Sequence, residues 1–173
     1  DKDADSRMRI YEGPLGKAII VLLCVWTAFQ LYFTTIGAIS AINLRAIHCI
    51  FVLLFTFLLF PTYKKEKRRR KLPPIWDWVF ILGSIGSFTY LILNYTRIAQ
   101  TGGRISDMEV GIALVAIVCV FEAARRASGN LAILAAVFLA YNWFGAYLPG
   151  YFGHNGFTLK RVLITQFWGT QGV

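Results

Sequence analysis

The chain has 173 residues, of which 57% are hydrophobic and 16% charged, whereas a soluble domain carries about a quarter charged residues. Its mean hydropathy is +0.56, and its apolar residues come in long runs that would present apolar surface all round a helix, which argues against a water-soluble core and for a membrane protein. The formal charge of +9 would invite nucleic acid if it were spread along a helix face, but seven of the eighteen basic residues lie in one stretch, KKEKRRRK at 64–71. Wedged between two apolar runs, such a block reads as a topogenic loop, held in the cytoplasm by the positive-inside rule and by anionic lipid.

From the amino terminus, the acidic start DKDAD and a long apolar run from Ala18 do not fit a signal peptide. Residues 1–16 are expected to form a cytoplasmic segment. A spanning helix needs about 20 mostly apolar residues, because the hydrocarbon is about 30 Å thick and a helix rises about 1.5 Å per residue. Five stretches qualify: 17–37, 45–60, 76–94, 108–124 and 131–148, the second and fourth being short. The predicted fold class is therefore all-α and multi-pass, with four spans, a fifth linking span and a terminal amphipathic segment.

Local signals set the boundaries. Pro61 stops the second helix, and Pro73 and Pro74 restart the chain before IWDW, whose Trp76 and Trp78 suit the membrane interface. Gly83, Ser84, Gly86 and Ser87 form a small-residue patch for close packing on the third helix. Ser106 and Glu109 have capping-box spacing at the start of the fourth. Gly129 and Asn130 predict a tight turn. From Phe157 onward, apolar residues at near-helical spacing oppose Lys160 and Arg161, as in a short surface helix or the start of a further element.

The basic block gives the orientation through Lys64, Lys65, Lys67, Arg68, Arg69, Arg70 and Lys71. With these inside, the amino terminus with Arg7, Arg9 and Lys17 is inside as well, the 95–107 loop is outside, and Arg125 and Arg126 return to the cytoplasm. Arg97 and Arg104 are an outside exception, partly balanced by Asp107 and Glu109.

Four constellations invite chemistry. Glu122 stands three and four residues before Arg125 and Arg126, so all three share a helix face; they read either as a helix-end ion pair that also signals topology or as a buried network that docks a partner helix. Asp77 is a second candidate acceptor for either arginine. On the outer side, Arg45 and His48 are one turn apart, and a proton relay would need Asp107 or Glu109 at the same depth; a satisfied interface histidine is the simpler reading. His154 has no second ligand near it. Gln30, Thr34, Asn94 and Asn142 read as interhelical hydrogen-bonding groups. Cys24, Cys49 and Cys119 are odd in number and without CxxC spacing, which suits buried small side chains. No phosphate loop, HExxH, GxSxG or nucleic-acid-reading motif occurs, so neither an enzyme nor a bound cofactor or metal is expected.

Five stretches in order, FQLYFT in the first span, LRAIHCIF in the second, IWDW opening the third, FEAARRASG closing the fourth and YLPGYFGHNGF before the tail, resemble the amino-terminal part of fused membrane subunits of tripartite ATP-independent periplasmic (TRAP) transporters. The likeness is greatest to the type that works with a TAXI-class periplasmic substrate-binding protein. The resemblance implies a small-subunit domain over 17–127, a linking helix over 128–148, and an external loop leading into a large transmembrane portion over 149–173. It implies a static scaffold in the cytoplasmic (inner) membrane of a bacterium or archaeon. Sodium sites and the substrate path belong to the large portion, which imports organic acids or amino acids by an elevator motion. The loops at 96–107 and 149–157 would help seat the binding protein, and Glu122 would serve a structural lock. The alternative is a membrane anchor or assembly subunit of a membrane-bound enzyme complex; only His48 lies in a span, which disfavours a bis-histidine haem.

Overall fold

The structure, a computed structural model, describes residues 8–37, 39–63, 69–70, 72–101, 104–147, 151, 153 and 155–169. Among the described residues the regular structure is helical apart from one short strand pair, and the chain divides into two compact units, Asp1–Ile92 and Leu93–Val173. The division falls within a helix, Ile75–Gln100.

In the first unit, α1 spans Pro14–Ile36. Proline suits the first helical position, where its missing N–H costs nothing. Gly13 ahead of it has φ 82°, and Gly37 closes the helix in the left-handed region at φ 68°, donating its N–H to Phe33 O at 3.0 Å. The second helix, α2, covers Ala41–Leu59. It ends because Phe60 precedes Pro61 and is forced into extended backbone, φ −99° and ψ 124°. The third helix, α3, covers Ile75–Gln100, beginning directly after the two prolines. Its 26 residues make it about 39 Å long, more than the hydrocarbon needs. Phe57 stacks on the half-buried Phe80 at 5.3 Å, and Phe57, Ala46, Leu53, Ile81, Phe88 and Leu91 are buried.

The strand pair is absent from the sequence-based prediction. Residues Ile10–Tyr11 form β1 and Arg69–Arg70 form β2, paired in parallel with Ile10 opposite Arg69. The amino-terminal segment therefore lies at the end of this unit where α2 finishes and α3 begins.

In the second unit, α4 covers Asp107–Ala127 and α5 Gly129–Phe144, followed by a short 3-10 turn at Gly145–Tyr147. The inward stripe of α4 is Glu109, Ala113, Ala116, Cys119, Ala123 and Arg126, spaced three and four apart. Its small residues permit the close approach of α5 and of the tail. The tail forms α6, Leu159–Leu163, and a wide π-type turn, Ile164–Trp168. Val162, Leu163, Phe167 and Trp168 are buried while Lys160 and Arg161 are exposed, the amphipathic division anticipated from their spacing.

Among the described residues three helices, α1, α2 and α3, are long and apolar enough to cross a membrane. The helix α4 is long enough, but Asp107, Glu109, Glu122, Arg125 and Arg126 occupy its ends; α5 is apolar but only 16 residues long, about 24 Å.

Three local expectations change. Residues 95–100, expected in a loop, continue α3, because nothing in YTRIAQ breaks a helix. The break between α4 and α5 is Ser128, extended at φ −150° and ψ 91°, so Gly129 and Asn130 already belong to the first turn of α5. In the small-residue patch, Ser84 and Ser87 are buried, but a side chain at Gly86 would meet open space, so close packing is not used there.

Candidate functional site: ion pairs at the helix ends

Among the described residues, Arg9 and Asp77 form an ion pair in which both side chains are 0% exposed. Arg9 Nη1 donates to Asp77 Oδ2 at 2.5 Å and also to Phe57 O at 3.1 Å and Leu58 O at 3.4 Å. Its backbone N–H donates to Leu59 O at 2.7 Å, and Tyr11 Oη donates to Leu58 O at 2.7 Å. These carbonyls belong to the last turn of α2, which has no partners within the helix, and a cation there is favoured by the helix dipole. Asp77 sits in the first turn of α3, where an anion is favoured for the same reason. Arg9 thus joins the end of one helix to the start of the next, and Thr62 Oγ1 adds a 3.5 Å contact to Asp77 Oδ1. The sequence pointed Asp77 toward Arg125 or Arg126; the structure gives it Arg9. A partner 68 residues away leaves no trace in local spacing.

In the second unit, Glu109 is 1% exposed and serves two purposes. Its Oε2 accepts the Ser106 backbone N–H at 2.6 Å while Ser106 Oγ accepts the Glu109 N–H at 3.3 Å, the capping box expected from the spacing. Its Oε1 accepts from Arg97 Nη2. Arg97 reaches it only because α3 continues past residue 94. Asp107 pairs with Lys160 at 2.9 Å, an exposed link from α4 to the tail. Arg161 lies 5.0 Å over the ring of Phe157, whose N–H donates to Asn142 O at 3.0 Å.

At the other end of α4, Glu122 accepts from Arg125 through both carboxylate oxygens, at 2.7 Å each, and from Arg126 Nε at 2.8 Å. Arg125 is half-exposed, whereas the Arg126 side chain is 0% exposed. One arm of the fork is thus solvent-screened and the other enclosed.

The relay candidates are otherwise engaged. The His48 ring lies 5.4 Å from the Trp26 indole, tilted at 43°, Arg45 is exposed, and both Asp107 and Glu109 have their own basic partners. The amide of Asn142 donates back to Phe138 O and Leu139 O of its own helix, both at 3.1 Å, rather than to a neighbour. Cys119 is buried, Cys49 half-buried and Cys24 exposed. Among the described residues no group of three or more His, Cys, Asp or Glu side chains could hold a metal ion. Lys64, Lys65, Lys67, Arg68 and Lys71, with Arg7 and His154, lie outside the described residues, and Arg69 and Arg70 are described through their backbone.

Comparison of the chain with protein-family models, with curated proteins and with solved structures finds no match.

Proposed function

We propose that this chain is the small-subunit, scaffold portion of a TRAP-type secondary transporter. Its partner is a large transmembrane portion that carries the sodium sites and the substrate path and takes organic acids or amino acids from a periplasmic binding protein. On this reading α4 and α5 also cross the membrane, α5 as the link, and the Arg9 end of the first unit faces the cytoplasm. The five stretches that carry the resemblance lie in order on successive elements: within α1, within α2, opening α3, closing α4, and between α5 and α6.

The observation that carries a scaffold role is the state of the acids. Asp77, Asp107, Glu109 and Glu122 are each held by a basic side chain of the same unit, two of them nearly or fully enclosed. Carboxylates so engaged tie helix ends together, whereas a transport path needs ionisable groups that change partners. The basic block also supports the orientation, since an even number of crossings separates it from the amino-terminal strand with which it pairs.

Reconstitution tests the reading. Co-expressed with the large portion, the chain is expected to purify as a detergent-stable complex, and sodium-driven uptake in proteoliposomes with the binding protein is expected to require it. Uptake that proceeds undiminished without the chain, or a haem Soret band in the purified protein, overturns it.

A further inference from the structure

Two adjoining helices of the first unit carry three buried polar atoms: Trp26 Nε1 and Gln30 Oε1 on α1, and His48 Nδ1 on α2. None has a hydrogen-bond partner among the described residues. The surroundings of the Trp26 indole are aromatic. The Trp26 indole lies 5.4 Å from the His48 ring, 6.0 Å from Phe51 and 5.6 Å from Phe55, centroid to centroid. In such a wall, away from bulk water, a polar atom left unmet is strongly unfavourable, and folded proteins satisfy nearly all of them, with bound water where protein atoms do not reach.

Helix spacing puts the three residues in one neighbourhood. His48, Phe51 and Phe55 recur on one face of α2, and the Trp26 ring covers that face. Gln30 is one turn along α1 from Trp26 toward the short connection at 37–40. His48 is one turn from Phe51 toward the same connection on the returning helix. Both steps, about 5 to 6 Å each, run the same way, so Gln30 and His48 share a level beside the indole.

Their hydrogen-bonding capacities are complementary to a single small protic molecule. The indole N–H only donates, the amide oxygen only accepts, and an imidazole nitrogen does either. We propose that one water molecule is bound between α1 and α2 as part of the fold. Its oxygen accepts from Trp26 Nε1, one of its protons goes to Gln30 Oε1 and the other to His48 Nδ1. Buried waters commonly make about three such bonds. The same arrangement holds neutral His48 as the tautomer protonated at Nε2.

The test is nuclear magnetic resonance of the full chain, labelled with 15N, in detergent or bilayers, with the Trp26 indole signal assigned by its loss in Trp26→Phe. A cross-peak between bound water and the Trp26 indole proton is expected, together with an unprotonated Nδ1 signal for His48. Gln30→Met, which keeps the side-chain length, is expected to abolish that cross-peak and lower the melting temperature. The double variant Gln30→Met/His48→Phe is expected to melt no lower than the worse single one, because both break the same bridge. A wild-type indole proton without a water cross-peak overturns the proposal, whether or not the variants fold. So does a rise in melting temperature in Gln30→Met, which is the behaviour of a polar atom that nothing satisfies.

Discussion

Arg9 reaches across 68 positions of sequence to close a 2.5 Å ion pair with Asp77, and neither side chain touches solvent. The pair stands where the last turn of α2 meets the first turn of α3, so two helix dipoles and an enclosed charge pair are balanced at one point. Removing one partner of such a pair leaves an uncompensated buried charge and costs about 3 to 5 kcal/mol, whereas replacing both by apolar groups is often neutral or better. Asp77→Asn is therefore expected to destabilise the detergent-solubilised protein by roughly that amount in thermal or denaturant unfolding. Arg9→Met/Asp77→Leu is expected to recover most of it. A single variant within about 0.5 kcal/mol of the parent would show that the pair does not hold the two helices together.

Gly16 is the point at which α1 passes the amino-terminal strand. A Cβ at this position would collide with the backbone carbonyl of Tyr11, which has no flexible end to move aside. Gly16→Ala is expected to cost about 1 to 3 kcal/mol, as overpacking does, and to expose the segment before α1 to protease. Gly86→Ala is the control, since nothing lies within 4 Å of its new methyl; equal proteolysis of the two variants would count against the contact.

At the start of α4, Ser106→Ala removes one half of the capping box and is expected to cost about 1 kcal/mol. Glu109→Ala removes the other half and also takes from Arg97 its enclosed partner. The second loss should exceed the first in unfolding measurements, and the reverse order would mean that the Arg97 pair contributes nothing.

Glu122 holds two arginines of unequal exposure. The outer one, Arg125, should be worth little, about 0.3 to 0.5 kcal/mol for a screened helix pair. The enclosed Arg126 makes Glu122→Gln the damaging change. Under the scaffold reading this variant assembles poorly with the large portion while whatever complex forms keeps its substrate affinity. Normal assembly with altered affinity would be incompatible with a structural role.

Topology is open to direct labelling. In a protein whose native cysteines are replaced by serine, Lys67→Cys is expected to react with an impermeant maleimide in inverted vesicles and not in intact cells. Reaction from outside would reverse the assignment of every loop.

The helices were legible in the sequence to the extent that their determinants are local. Pro61 and Phe60 mark the end of α2, the paired prolines the start of α3, and Ser106 with Glu109 the start of α4, because each acts within a few residues through backbone donors and φ angles. The Glu122 fork was legible for the same reason, as helical periodicity alone brings positions three and four apart onto one face. The end of α3 was misplaced because YTRIAQ has neither a breaker nor a long apolar run, and hydropathy marks where lipid stops, not where a helix does.

Chain order and hydropathy alone establish that lipid-compatible helices are made and roughly where each begins, since these follow from backbone hydrogen bonding and side-chain transfer energies position by position. Which charges meet is another matter. Arg9 with Asp77, Lys160 with Asp107, Trp26 over His48 and the strand at Ile10 beside Arg69 join residues far apart along the chain. Those encounters depend on how the helices pack, because in folding many candidate partners compete for each buried charge or ring, and geometry selects among them.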